Sequence, residues 1–126
     1  MIRWALVILS LAVVTGAFGA HMLRKLLTAD HLESWNTAVE YQFYHGLGML
    51  LIGVASANGI LQEKRALLAS RLMAAGILMF SGSIYLLSTR EIHGMNISWL
   101  GPVTPVGGVC FIAAWLISAA AVQKKN

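Results

Sequence analysis

Few side chains in this 126-residue chain are candidates for a chemical role. The candidates are histidines and tyrosines, together with one of the glutamates. A candidate polar cluster contains His21, Glu40, Tyr41, His45 and Tyr85. Tyr41 and His45 are one helical turn apart, so they share a helix face. Imidazole and carboxylate groups can bind a divalent metal such as zinc, and histidine can relay protons because it titrates near neutral pH.

Three interpretations of this polar cluster stay open. We favour hydrogen bonds that tie neighbouring helices together, ahead of a metal or proton site and ahead of a small-ligand site. No His-x-x-x-His or Cys-x-x-Cys spacing is present, and Cys110 has no second cysteine with which to pair. No set of residues that could form a catalytic triad is recognisable in the sequence. The sequence therefore predicts no enzyme activity, no catalytic residue, no bound metal and no cofactor.

Composition limits the class of protein that carries these residues. Hydrophobic residues make up 58% of the chain and charged residues 11%, against about 25% charged in soluble domains. These values exclude a soluble enzyme, a disordered chain and a nucleic-acid-binding module. The formal charge of +4 fits basic loops that contact lipid headgroups. The sequence therefore predicts an integral membrane protein.

Charged residues divide the chain into four apolar segments, each long enough to cross a bilayer. We predict one integral membrane domain over residues 1–126, an all-α, four-helix transmembrane bundle with short loops. The predicted spans are residues 4–23, 41–58, 70–88 and 103–122. The first segment also resembles a signal peptide, but three further spans follow it, which favours a retained helix. Thr28 is expected to cap a helix.

An amphipathic approach, that is a helical segment with one apolar face, is expected before the second helix, because Leu32, Trp35 and Val39 recur there at spacings of three and four. We expect this segment either to lie at the membrane interface or to lead straight into the second span. All four tryptophans of the chain, Trp35 among them, are expected at the membrane interfaces. His21 ends the first span and His45 begins the second. We therefore expect these two histidines to lie close together.

The distribution of Lys and Arg predicts the orientation. With four spans, six of them share one side, namely Arg3, Lys64, Arg65, Arg71, Lys124 and Lys125. Three lie on the other side, namely Arg24, Lys25 and Arg90. The positive-inside rule then places both termini in the cytoplasm.

Small residues line one face of each predicted helix. Membrane helices pack through such faces because lipid gives no hydrophobic drive between helices. The glycines expected at close helix contacts are Gly16, Gly19, Gly48, Gly82, Gly107 and Gly108. On the third helix, Met73 and Ile77 lie opposite Gly82, so we expect them to face lipid.

Four short motifs give the chain a family resemblance. They are GAFGAH at 16–21, TAVEYQFYH at 37–45, SGSIY at 81–85 and TPVGG at 104–108. In this order they resemble the domain-of-unknown-function 423 family. The resemblance implies a small integral membrane protein of the bacterial inner membrane, with a relative among small eukaryotic transmembrane proteins. The family has no assigned reaction, so the resemblance implies no mechanism.

Two functions follow from these observations. The favoured one is a non-enzymatic structural or partner-binding membrane protein. Its partners would be the lipid bilayer and either a second copy or another membrane protein, without nucleic acid. The alternative is a small transporter or an ion- or proton-conducting subunit that uses the outer His/Glu/Tyr cluster.

Overall fold

A computed structural model describes residues 1–123, and Lys124 and Lys125 of the charge count lie outside this range. The described chain is helical throughout, apart from turns, loops and one isolated bridge pair. The prediction of an all-α fold is therefore confirmed. The helices are α1 (Ile2–His21), α2 (Ala29–Ala57), α3 (Glu63–Ser88), α4 (Arg90–His93) and α5 (Val103–Ala120), with 3-10 turns at Leu23–Lys25 and Ser98–Leu100.

The four long helices pack in chain order. α2 and α3 form the centre, α1 packs on α2, and α5 packs on α3. Side chains also link α1 to α3, where Tyr85 contacts Thr15, and α2 to α5, where Trp115 lies against Gly48. This arrangement leaves one groove of about 470 Å³ between α1 and α3, and one of about 580 Å³ between α2 and α5.

The segment that precedes the predicted second span is part of one continuous helix. Thr28 caps α2, since its side chain accepts a hydrogen bond from the His31 backbone N–H at 3.4 Å. Trp35 is buried and lies against Gly19 of α1. The amphipathic approach therefore leads straight into the second predicted span, and Trp35 and Val39 pack it against two glycines of α1.

Length and composition mark three stretches as candidate membrane spans, Ile2–Lys25, Glu63–Ser88 and Ser98–Ala120. The 29-residue α2 is not among them. Its first half carries Asp30, Glu33 and Glu40, together with several other polar side chains. Hydropathy therefore supports three crossings, and the role of α2 has to be argued from its packing.

The outward face expected for α3 is wrong. Met73 is 0% exposed and Ile77 is 7% exposed, and both belong to the main apolar core. α2 covers α3 on one side and α5 covers it on another. A helix at the centre of the bundle buries bulky side chains as well as small ones.

The end of the bundle that holds the α2–α3 turn is closed by backbone hydrogen bonds. The Gln62 N–H donates to the Ala121 carbonyl at 2.8 Å, and the Gln123 N–H donates to the Ile60 carbonyl at 2.9 Å. The Arg65 guanidinium donates to the Ala120 carbonyl at the end of α5, where a cation also complements the helix dipole. These contacts hold the α2–α3 turn against the last turn of α5.

Candidate functional site

The predicted pairing of His21 with His45 is wrong. His21 is exposed at the end of α1, whereas Gly46, the neighbour of His45, lies against Ile8 and Leu9. Leu9 and His21 are about 18 Å apart along α1, at 1.5 Å per residue. The cause is the early start of α2 at Ala29, which places His45 near the middle of the helix.

His45 packs against α5. It is 6% exposed, and its ring stacks on Phe111 with centroids 3.4 Å apart and an interplanar angle of 12°. Its Nδ1 lies 2.8 Å from the Tyr41 carbonyl oxygen. Because a carbonyl only accepts, Nδ1 carries the proton of the neutral ring and Nε2 is the acceptor. His45 is therefore held by stacking and by one bond within its own helix.

The groove between α2 and α5 is lined mainly by aromatic rings. Tyr41 stacks on Phe80 with centroids 4.4 Å apart, and Trp115 lies 6.2 Å from the His45 ring. Gly108 also lines the groove. Within residues 1–123, no group of three or more His, Cys, Asp or Glu side chains is arranged to hold a metal ion.

Tyr85 lies in a different part of the molecule, where α1, α2 and α3 meet. Its hydroxyl donates to Gln42 Oε1 at 2.7 Å and lies 3.2 Å from the Thr15 hydroxyl. Gln42 Nε2 in turn donates to the Ile8 carbonyl at 3.0 Å. These contacts join the three helices through side chains that satisfy one another.

Trp35 completes this hydrogen-bonded network. Its Nε1 donates to the Thr15 carbonyl at 2.9 Å, and its ring centroid is 4.4 Å from that of Tyr85. At 8% exposure it is not an interfacial anchor, so that expectation is wrong for this tryptophan. Gln42 is not among the predicted site residues, although it shares a helix face with Trp35 and Val39 at spacings of seven and three.

The five predicted cluster residues therefore do not form one site. His21 is exposed at the end of α1, and Glu40 is exposed on α2. Tyr41 and His45 line the α2–α5 groove, and Tyr85 lies in the network with α1. The arrangement provides helix contacts in two places and no shared catalytic or metal centre among the described residues.

The glycines expected at helix contacts fall into two groups. An added Cβ would lie 2.5 Å from the Phe80 backbone at Gly107, 2.8 Å from Trp35 at Gly19 and 3.0 Å from Trp115 at Gly48. At Gly16 it would make an ordinary contact of 3.4 Å. Gly82 and Gly108 meet nothing within 4 Å, so the expectation of close packing there is wrong.

Three other glycines, which are not among those predicted at helix contacts, also lie close to neighbouring helices. An added Cβ at Gly46, Gly53 or Gly76 would lie 3.0, 2.8 or 2.6 Å from a neighbouring side chain. Hydroxyl groups add bonds between helices. Ser81 donates to the Ala38 carbonyl at 2.8 Å, and the Ser83 and Thr104 hydroxyls are 2.6 Å apart. The short sequence motifs thus meet one another at helix contacts.

Comparison with known proteins gives consistent matches. A family model described as "Protein of unknown function (DUF423)" matches residues 15–108. A UPF0382 membrane protein of Staphylococcus haemolyticus is 42% identical over 85% of this chain and 81% of its own length. A UPF0382 membrane protein of Bacillus subtilis is 41% identical over 90% of this chain and 88% of its own length. No solved structure matches.

Proposed function

Because the chain belongs to the DUF423 family and its relatives are membrane proteins, we propose that it is a non-enzymatic, four-span protein of the bacterial inner membrane. We propose further that it associates with a second copy of itself through the exposed face of α2. The observation that carries this proposal is Glu40, a carboxylate exposed on α2 without a hydrogen-bond or ion-pair partner among the described residues.

The packing register supports a fourth span. Trp35 lies against Gly19 near one end of α1, and Gly53 lies against Ile2 at the other end. Residues 35–53 of α2 therefore run beside almost the whole of α1, over about 27 Å at 1.5 Å per residue. A bilayer core is about 30 Å thick. If α1 crosses the membrane, α2 crosses with it despite its polar first half.

The four-span arrangement gives a consistent charge distribution. Arg3 and the residues of the α2–α3 turn lie at one end, and Arg24, Lys25 and Arg90 lie at the other. By sequence, Lys124 and Lys125 add to the end that holds Arg3. The positive-inside rule supports cytoplasmic termini. Four of the five acidic residues then lie toward the outer side.

The exposed face of α2 carries a polar pair inside an apolar stripe. Glu40 is followed on this stripe by Tyr44, Leu47 and Leu51, which are 57%, 47% and 67% exposed. Glu40 lies about 7.5 Å further along the axis of α2 than Trp35, at 1.5 Å per residue. It has no hydrogen-bond or ion-pair partner among the described residues. A lone carboxylate that faces lipid costs a few kcal/mol.

A second copy in the same orientation supplies what Glu40 lacks. Across a two-fold axis normal to the membrane, the same stripe meets itself, as in any isologous interface. Glu40 of one copy can accept a hydrogen bond from the partner's Tyr44, and the reverse bond forms by symmetry. The two leucines of the stripe then pack beside these polar bonds.

The alternative of a transporter or conducting subunit has less support. It depended on a His/Glu/Tyr cluster, and the members of that cluster lie in separate places. The polar groups at the α1–α2–α3 junction also bond to one another rather than leave a line of free donors and acceptors.

Cysteine cross-linking tests the proposed dimer. In a Cys110→Ala background, Leu47→Cys should form an intermolecular disulfide in native membranes under mild oxidation. Val7→Cys is the matched control, because Val7 is 42% exposed at similar depth on α1. It should remain monomeric. Equal cross-linking at both positions, or none at Leu47→Cys, would contradict the proposal.

A second variant tests the polar pair. Tyr44→Phe keeps the ring and removes the hydroxyl from both copies, so it should weaken the dimer about thirtyfold, as expected for two lost hydrogen bonds worth about 1 kcal/mol each. The yield of Leu47→Cys dimer at several protein-to-lipid ratios measures this change. An unchanged yield would show that the Tyr44 hydroxyl plays no part.

A further inference from the structure

A pocket of about 460 Å³ lies at the end of the bundle opposite the termini. The first turns of α2, the end of α3 and the loop before α5 border it, and it is open to the outside. Six of its lining side chains are polar, namely His31, Ser34, Thr37, Ser88, Arg90 and Ser98. None of these belongs to the network around Tyr85 or to the exposed stripe of α2.

Two buried polar atoms at this pocket have no hydrogen-bond partner. Ser88 is 2% exposed, yet its Oγ makes no hydrogen bond. His31 Nδ1 makes none either, and the nearest acid, the Glu91 carboxylate, is 3.7 Å away. Folded proteins leave few such groups unpaired. Both residues line one pocket, where a polar ligand would supply the missing partners.

The charge of the pocket selects the kind of ligand. Arg90 lines the pocket, and no acidic side chain within residues 1–123 pairs with it. Glu91 is 54% exposed on the His31 side, and it is not a lining residue. A guanidinium beside free hydroxyl donors suits an anion with several acceptor oxygens, and Arg binds phosphate through two parallel bonds.

We propose that this pocket binds a phosphate group, either on a lipid headgroup or on a free phosphate compound. Arg90 binds two of the phosphate oxygens. The Ser88 hydroxyl donates to the same group, as does the Thr37 hydroxyl, which makes no side-chain hydrogen bond among the described residues. Since α3 ends at Ser88, the pocket lies at the level of lipid headgroups.

Titration of the purified protein in nonionic detergent tests this site. The probes are inorganic phosphate and dihexanoyl phosphatidylglycerol, each added at constant ionic strength, and the readout is the melting temperature. Arg90→Gln should weaken binding of either active probe by about tenfold or more, since it removes a charge-assisted bidentate contact. Arg24→Gln is the matched control at the same end of the bundle, and it should change affinity less than twofold.

Ser88→Ala distinguishes binding at a specific site from general electrostatic attraction. It removes the buried donor without a change in charge, so it should weaken binding about threefold. If the two probes bind with comparable affinity and compete with each other, a free phosphate compound is sufficient as the ligand of the pocket. Binding of the lipid at least tenfold tighter would identify a headgroup. Absence of saturable binding by either probe, equal effects of Arg90→Gln and Arg24→Gln, or an unaffected Ser88→Ala variant would overturn the proposal.

Discussion

At the scale of single residues, one hydroxyl group joins three helices. Tyr85 has one proton to donate, and the 2.7 Å distance assigns it to Gln42 Oε1. The Thr15 hydroxyl, 3.2 Å away, also lies within reach of backbone carbonyls of its own helix at 3.1 Å. Because the bilayer core holds no water, such groups must find partners within the protein. The network therefore fixes how α1 and α3 sit on α2.

Removal of the Tyr85 hydroxyl should lower stability. Tyr85→Phe leaves Gln42 Oε1 without its partner, so we expect a loss of about 1–2 kcal/mol. Tyr41→Phe is the control, because the Tyr41 hydroxyl makes no hydrogen bond among the described residues, and its effect should stay below about 0.5 kcal/mol. Thermal unfolding in detergent measures both. Equal losses would mean that the hydroxyl network contributes nothing specific.

The sequence identified the polar residues better than it identified their partners. Tyr85 and His45 stand out as polar groups in apolar helices, and this much follows from composition. Their neighbours depend on how far one helix slides along another. Gln42 of α2 accepts a hydrogen bond from Tyr85, which is far along the chain on α3. No short sequence pattern predicts how these two helices are aligned along their axes. The pocket at Arg90 likewise could not be predicted, because its lining residues come from three parts of the chain that only the folded structure brings together.

At the scale of helices, the α3–α5 contact depends on the lack of a side chain at one position. At Gly107 an added Cβ would lie 2.5 Å from the Phe80 backbone, whereas at the adjacent Gly108 it would meet nothing within 4 Å. Backbone cannot move aside as a flexible side chain can. These neighbouring glycines therefore have different roles despite their identical chemistry.

This difference gives a test within one helix. Gly107→Ala should destabilise the protein by about 1–3 kcal/mol, the usual cost of overpacking. Gly108→Ala should be neutral or stabilising by up to about 1 kcal/mol, because alanine favours the helix. Chemical denaturation in mixed micelles compares the two variants. A larger loss at Gly108 than at Gly107 would contradict the packing described here.

The helical nature of the chain follows from the sequence, since long apolar runs between charges predicted an all-α fold. The predicted count of four helices is not confirmed, because residues 1–123 form five helices and contain three candidate membrane spans. Two features did not follow. The first turns of α2 are too polar to be recognised as part of a membrane span by a search for long apolar segments. Trp35 nevertheless packs them against α1. The faces of α3 were assigned from residue size, which fails for a helix covered on more than one side, as Met73 and Ile77 show.

At the scale of the whole molecule, the two ends differ in chemistry. The end with the termini is closed by backbone bonds between the α2–α3 turn and α5. The opposite end holds an open pocket bordered by six polar side chains, among them the unpaired Ser88 hydroxyl. Between them, apolar side chains such as Leu78 and Leu116 are 75% and 66% exposed, which suits a lipid environment. The proposed dimer stripe and phosphate pocket are separate surfaces of this bundle.

In the proposed arrangement α2 crosses the membrane, although its composition does not mark it as a span. Cysteine accessibility tests it directly, with Lys25→Cys before α2 and Lys64→Cys after it, each in a Cys110→Ala background. In right-side-out vesicles, a membrane-impermeant maleimide should label Lys25→Cys at once and Lys64→Cys only after detergent is added. Labelling of both positions from the same side would contradict a fourth span.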